Sequence, residues 1–146
     1  MFALVRLFLG NDSVNIISML ETGTTYLIHP DVSSEQLDQL FAGSWPNLAK
    51  VLQKSLTYVC AYQDGRLIGF VNVAWDGDSH AFLLDPTVHP EFRRRGIGSE
   101  LVRLASAAAR DANVEWIHVD FEPYLADFYS KCGFVPTSAG LIRLRD

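Results

Sequence analysis

The chain of 146 residues has 49% apolar, 12% aromatic and 20% charged side chains, the make-up of a single soluble globular domain over residues 1–146 and not of a disordered tail or coiled coil. With 17 acidic against 12 basic residues the net charge is -5, so the long-range attraction to a polyphosphate backbone is missing and nucleic acid is not an expected partner. Cys60 and Cys132 are too few for a disulfide scaffold, and the apolar run Phe2 to Leu9, broken by Arg6, falls well short of the roughly 20 residues of a membrane span.

No small-residue cleavage site follows that run, which argues against a signal peptide and for a cytoplasmic protein with no membrane partner. Residues 1–15 carry no clear pattern and read as a loosely ordered lead-in. Thr24 to Ile28 is β-branched and aromatic, a first strand. Ser33 or Ser34 caps a helix, with Gln36 completing a capping box from Ser33 and Leu37, Leu40 and Phe41 on one face. Pro46 suits the first turn of a second helix, whose stripe is Leu48, Val51, Leu52 and Leu56.

The period then changes. Thr57 to Tyr62 and Arg66 to Trp75 are strand-like and joined by Asp64-Gly65, a strong signal for an antiparallel hairpin. His80 to Val88 is a further strand ending before His89-Pro90. A helix begins at about Gly98, small-sided along Leu101, Leu104, Ala105, Ala108 and Ala112, with Glu100 and Arg110 suited to its two dipole ends. Glu115 to Phe121 reads as a strand, Pro123 to Cys132 as a short helix closed by Gly133, and Phe134 to Leu144 as a last strand. The strand-helix-strand unit from His80 to Phe121 predicts a parallel pair, with a ligand where the first strand meets the helix.

That junction holds the most informative segment, Val88-His89-Pro90-Glu91-Phe92-Arg93-Arg94-Arg95-Gly96-Ile97-Gly98-Ser99. Glycines at 96 and 98 let backbone N–H groups turn outward at the positive end of a helix, directly after three arginines, which suits a pyrophosphate. A Walker loop needs lysine after Gly98, where Ser99 stands, and a dinucleotide fingerprint needs glycine at 101, where Leu101 stands. ATP and NAD are thereby poor candidates.

The segment Arg93-x-x-Gly96-x-Gly98 resembles the R/Q-x-x-G-x-G/A acyl-CoA signature of the GNAT N-acetyltransferase superfamily. Ala126-Asp127-Phe128-Tyr129-Ser130-Lys131-Cys132-Gly133-Phe134 is similar to that superfamily's late helix and turn. The resemblance covers about residues 24–144 and implies an α/β (α+β) fold. It implies a central mixed, mostly antiparallel sheet whose parallel fourth and fifth strands splay apart, flanked by helices. It further implies acetyl-CoA as co-substrate and no metal. The loop Arg93, Arg94, Arg95, Gly96, Ile97, Gly98 and Ser99 would hold the pyrophosphate, and the backbone of Thr87 and Val88 the pantetheine arm. Tyr129 takes the place of the general acid, while Glu122 stands where many members have asparagine.

Attack of an amine on a thioester develops an oxyanion and expels a thiolate. The Val88 N–H is the expected oxyanion donor and the Tyr129 hydroxyl the expected proton donor. For the base, Asp85, Asp120, Glu122, His80 and a water chain all stay open, and alternation along the strand puts Asp120 and Glu122 on one face, able to bind a cationic acceptor with Asp85. Cys132 lacks a histidine and acid partner nearby in sequence, and the 4 histidines lack zinc-site spacing. Trp45, Trp75 and Trp116 read as structural, though Trp45 and Trp75 sit near loops able to wall an acceptor pocket. The expectation is an acetyl-CoA-dependent N-acetyltransferase acting on an amine acceptor as a monomer or homodimer. The alternative is a non-catalytic acyl-CoA-binding or sensing module.

Overall fold

A computed structural model describes residues 15–19 and 23–146. The expected lead-in over residues 1–15 lies outside them except for Asn15, which opens an unanticipated strand, β1 (Asn15–Met19). It pairs antiparallel with β2 (Thr25–Ile28) at one edge of the sheet. Helix α1 (Ser34–Phe41) begins with the expected capping box. The Gln36 N–H donates to Ser33 Oγ at 3.1 Å and the Ser33 N–H to Gln36 Oε1 at 3.0 Å. Helix α2 (Leu48–Lys54) starts after Pro46 and Asn47, not at Pro46. Leu56 belongs to the next strand instead of the helical stripe, because Ser55 turns extended and pairs with Ala74.

Strands β3 (Ser55–Gln63) and β4 (Arg66–Trp75) form the expected hairpin, and Asp64 and Gly65 take φ of 49° and 76°, the two positive values a type I′ turn demands. Strand β5 (His80–Val88) runs antiparallel to β4. Helix α3 (Ile97–Asp111) then crosses over to β6 (Trp116–His118), which lies parallel to β5 and completes the order β1-β2-β3-β4-β5-β6. Counting β1, the parallel pair is the fifth and sixth strands. Pro123–Leu125 makes a single 3-10 turn leading into α4 (Ala126–Lys131).

Two expectations are corrected. The strand over Glu115 to Phe121 is reduced to Trp116–His118, because its partner β5 diverges after the Phe82–His118 pair and leaves the later residues without a ladder. Burial still alternates beyond it: Val119 and Phe121 pack against the core while Asp120 and Glu122 are exposed. No strand forms over Phe134 to Leu144. The Phe134 N–H is taken by Tyr129 O at 3.0 Å in the turn closing α4, Pro136 and Gly140 interrupt the remaining residues, and Leu141, Ile142 and Leu144 stand more than 80% exposed.

Each sheet face has its own core. Val59, Ala61, Val71, Val73, Ala81 and Leu83 meet Ile97, Leu101, Leu104 and Ala105 of α3 on one face, with Tyr129 of α4 in the same cluster. On the other face Leu37, Leu40 and Leu48 of α1 and α2 cover Cys60, Leu67 and Phe70. Gly69 sets the close approach of α3: a Cβ there would stand 3.0 Å from Leu101 Cδ1 and 3.3 Å from Ile97 Cγ2.

Two irregularities of β5 shape the surface beside it. From residue 83 onward β5 has β4 on one side only, so the sheet opens where β6 has left it. Between the pairs Asn72–Leu84 and Phe70–Thr87, the single β4 residue Val71 faces Asp85 and Pro86, a β-bulge in which Asp85 takes a φ of 56°.

Candidate active site

The opening holds a cleft of about 430 Å³ walled by the end of β5, the loop and first turn of α3, and α4. Thr87, Val88, Arg93, Arg94, Gly96, Ile97, Gly98, Ser99 and Tyr129, all singled out from sequence, line it. Phe92, Leu101, Leu125 and Phe128 were not singled out, since apolar wall residues carry no chemistry that a sequence pattern displays.

Backbone polarity inside the cleft is set by the ladder. His89 N–H donates to Ile68 O at 2.8 Å, which makes Gly69–Val88 a non-hydrogen-bonded pair and turns the N–H and C=O of Val88 away from β4. The carbonyl accepts Arg93 Nε at 3.2 Å, tying the loop to the strand end. The Val88 N–H therefore faces the side that β6 has left, and Pro86 has no N–H to offer.

Across from it, α3 opens without a side-chain cap. Gly96 is its N-terminal flanking residue at φ 78°, and the Glu100 N–H closes the first turn onto Gly96 O at 3.1 Å. The N–H groups of Ile97, Gly98 and Ser99 have no acceptor within the helix, and they lie at its positive end. The two glycines serve different needs. A Cβ on Gly96 meets nothing within 4 Å, so the left-handed backbone is what requires glycine, whereas a Cβ on Gly98 would lie 3.4 Å from the Phe128 ring and 3.7 Å from Val88. Arg94 is also left-handed, at φ 62°. Arg95 is not among the cleft residues: its guanidinium lies 5.1 Å from the Phe92 ring centroid and donates to Glu91 O at 3.2 Å.

Tyr129 closes the far wall. It is 3% exposed, stacked on Phe121 at 4.7 Å and edge-on to Phe128 and Phe134 at 4.9 and 5.7 Å. Burial, helped by the neighbouring Cys132 and Asp120, raises its phenol above the ordinary 10.0, so it keeps its proton at neutral and mildly alkaline pH. Burial likewise raises the Cys132 thiol, against a hydrogen bond from Ser99, which keeps it protonated and a poor nucleophile.

Asp120 and Glu122 share an exposed face, as the alternation predicts, and Asp85 does not join them at the cleft. Asp120 sits near Tyr129, and neither it nor Glu122 lines the cleft. Asp85 lines a second cavity of about 180 Å³ with Asp38, Phe41, Gly43, Ser44 and Trp45. Burial raises its carboxyl above the ordinary 3.8. His80 starts β5, about 26 Å of extended strand from Val88, and hydrogen-bonds His118 at 2.8 Å, which removes it from the candidate bases. Among the described residues no three histidine, cysteine, aspartate or glutamate side chains form a metal-binding group, and no helix is long and apolar enough to cross a membrane.

The chain is similar to known acetyltransferases in sequence and in fold. A mycothiol acetyltransferase of Mycolicibacterium vanbaalenii is 38% identical over 76 residues, 52% of this chain and 25% of that protein, so the chain spans about a quarter of that relative's length. A GNAT-family acetyltransferase from Streptococcus pneumoniae TIGR4 shares the fold with a TM-score of 0.71 at 24% identity, over 84% of this chain and 99% of that one. AAC(6')-Iy, solved in complex with the bisubstrate analog CoA-S-monomethyl-acetylneamine, shares it with a TM-score of 0.67 at 21% identity, over 84% and 98%. The acetyltransferase (GNAT) family matches residues 21–134, and with the splayed parallel pair and the glycine-opened α3 this establishes that the chain belongs to the GNAT family.

Proposed function

We propose that the chain transfers an acetyl group from acetyl-CoA to a primary amine. The observation that carries this reading is the convergence on one cleft of an outward Val88 N–H, three first-turn N–H groups of α3 and a buried, protonated Tyr129. The first turn of α3 and Arg94 supply the positive field that a pyrophosphate needs. Val88 offers its outward N–H on the free side of β5 to an extended pantetheine arm, as a strand edge offers itself to another strand, whereas Thr87, paired with Phe70, turns its own N–H and C=O toward β4.

In the reaction the amine nitrogen forms a bond to the thioester carbon and the carbon–sulfur bond breaks. The Val88 N–H stabilises the oxyanion in between, and the Tyr129 hydroxyl returns a proton to the departing sulfur. An alkylammonium and acetyl-CoA thus become an acetamide, free coenzyme A and one released proton. The test is thiol release from acetyl-CoA across a panel of primary amines, with coenzyme A binding measured in parallel by calorimetry. Thiol release that depends on an amine is expected. Binding with no release for any amine would overturn catalysis and leave a coenzyme-binding module.

A further inference from the structure

Strands β5 and β6 share only the pairs His80–Trp116, Ala81–Ile117 and Phe82–His118 before they part to open the cleft. Ala81 and Ile117 pack under α3, so alternation puts His80, Phe82, Trp116 and His118 on the other face, where all four are exposed. Two imidazoles lie side by side there. His80 Nδ1 and His118 Nε2 are 2.8 Å apart, and the rings stack at 5.1 Å with 29° between their planes. Phe82 stacks on His118 at 4.9 Å and 18°, which restricts that ring. The backbone of His80 is held as well: its N–H donates to Asp76 Oδ1 at 3.2 Å and its carbonyl accepts the Asp76 N–H at 3.0 Å. Neither the proposed acetyl transfer nor the two cores use this pair.

We infer that His80 and His118 form a chelating site for one divalent transition-metal ion, Cu²⁺ or Ni²⁺, which clips β5 to β6 at the root of the cleft. The spacing sets the class of ion. Two imidazole nitrogens bound to one ion at roughly 2.0–2.1 Å lie about 2.9 Å apart at a right angle and about 3.3 Å apart at a tetrahedral angle. The observed 2.8 Å therefore matches neighbouring corners of the tetragonal sphere of Cu²⁺ or Ni²⁺ better than the tetrahedral sphere of Zn²⁺. The general order of affinity for nitrogen donors also places Cu²⁺ first. When the ion enters, the ring that donated in the free pair carries its proton on its other nitrogen, and both lone pairs turn onto the metal, so no proton is lost. Water fills the remaining positions. Asp76, close enough to His80 to interact with it through charge, sets a carboxylate beside the ion. The site is independent of the acetyl transfer proposed above.

The experiment titrates the full chain with Cu²⁺ by calorimetry and counts the bound imidazoles by pulsed electron paramagnetic resonance. One ion per chain with two imidazoles is expected. His80→Asn and His118→Asn are each expected to weaken Cu²⁺ binding by about tenfold or more while leaving the coenzyme A dissociation constant unchanged. Because the ion binds the folded ladder, Ni²⁺ at about a hundred times its dissociation constant should raise Tm by roughly 5 °C in the wild type and not in the double variant. The imidazole count in the wild-type protein decides the assignment even where a variant fails to fold. One imidazole per ion, or Cu²⁺ binding that survives both substitutions together, would overturn it.

Discussion

The cleft and the second cavity meet at one bulge yet are built in opposite ways. The cleft comes largely from one stretch, Pro86 to Leu101, and works through backbone groups, so its chemistry depends on where glycines, a proline and a helix start fall in the sequence. The cavity is assembled from α1, a loop and a strand more than forty residues away, and works through side chains brought together by packing on Phe70. A site of backbone amides tolerates side-chain variation at its arginines and is intolerant at its glycines. A site of side chains is the reverse.

The sharpest way to separate the two is to remove function from one and watch the other. Tyr129→Phe keeps the ring stacked on Phe121 and deletes only the hydroxyl, so turnover should fall by roughly 10²–10⁴-fold with the acetyl-CoA dissociation constant little changed. Single-turnover acetyl transfer at several pH values checks this. In the wild type, the raised phenol should sustain the rate up to about pH 10, and an unchanged rate in the variant would make Tyr129 a packing residue.

Gly98→Val puts a branched side chain where a Cβ already stands 3.4 Å from the Phe128 ring, narrowing the cleft between α3 and α4. Acetyl-CoA affinity should fall by about a hundredfold, an effect of order 2–3 kcal/mol, while the fold is retained. Calorimetry with acetyl-CoA on the folded variant decides the matter. Unchanged affinity would place the coenzyme outside this cleft.

On the cavity side, Ser33→Ala deletes the capping box of α1, the helix that carries Asp38 and Phe41. A loss of about 1 kcal/mol in chemical denaturation is expected, with the coenzyme A dissociation constant unchanged.

Smallest is a gain. Folding raises the Asp85 carboxyl above 3.8, so the folded state favours its protonated form; ionisation at neutral pH subtracts from stability, and that cost fades as pH falls through the raised value and is gone below about 3.8. Asp85→Asn, whose side chain tolerates the positive φ there, should therefore give an equal or slightly higher Tm at pH 7, with the difference vanishing below about pH 3.8. Thermal unfolding across that range measures it, and a Tm loss at pH 7 would show that the ionised carboxylate is held by a partner.

Much of this was legible in the residues because the signals are local. Ser33 with Gln36, Asp64-Gly65 and Gly96 with Gly98 each specify a cap, a turn or a helix start within a few residues, and they lie where the sequence places them. Their physical basis is short-range: hydrogen bonds and allowed φ values that neighbours along the chain decide.

What only the tertiary structure decided depends on partners distant in sequence. Alternation from Glu115 to Phe121 cannot reveal that β5 leaves β6 after Phe82, and a run such as Phe134 to Leu144 becomes a strand only where a neighbour supplies a ladder. Asp120 and Glu122 share a face by parity, yet the carboxylate that meets an aromatic wall is Asp85, because a bulge opposite Val71 aims it there and the packing of Phe41 and Trp45 on Phe70 brings Asp38 to meet it.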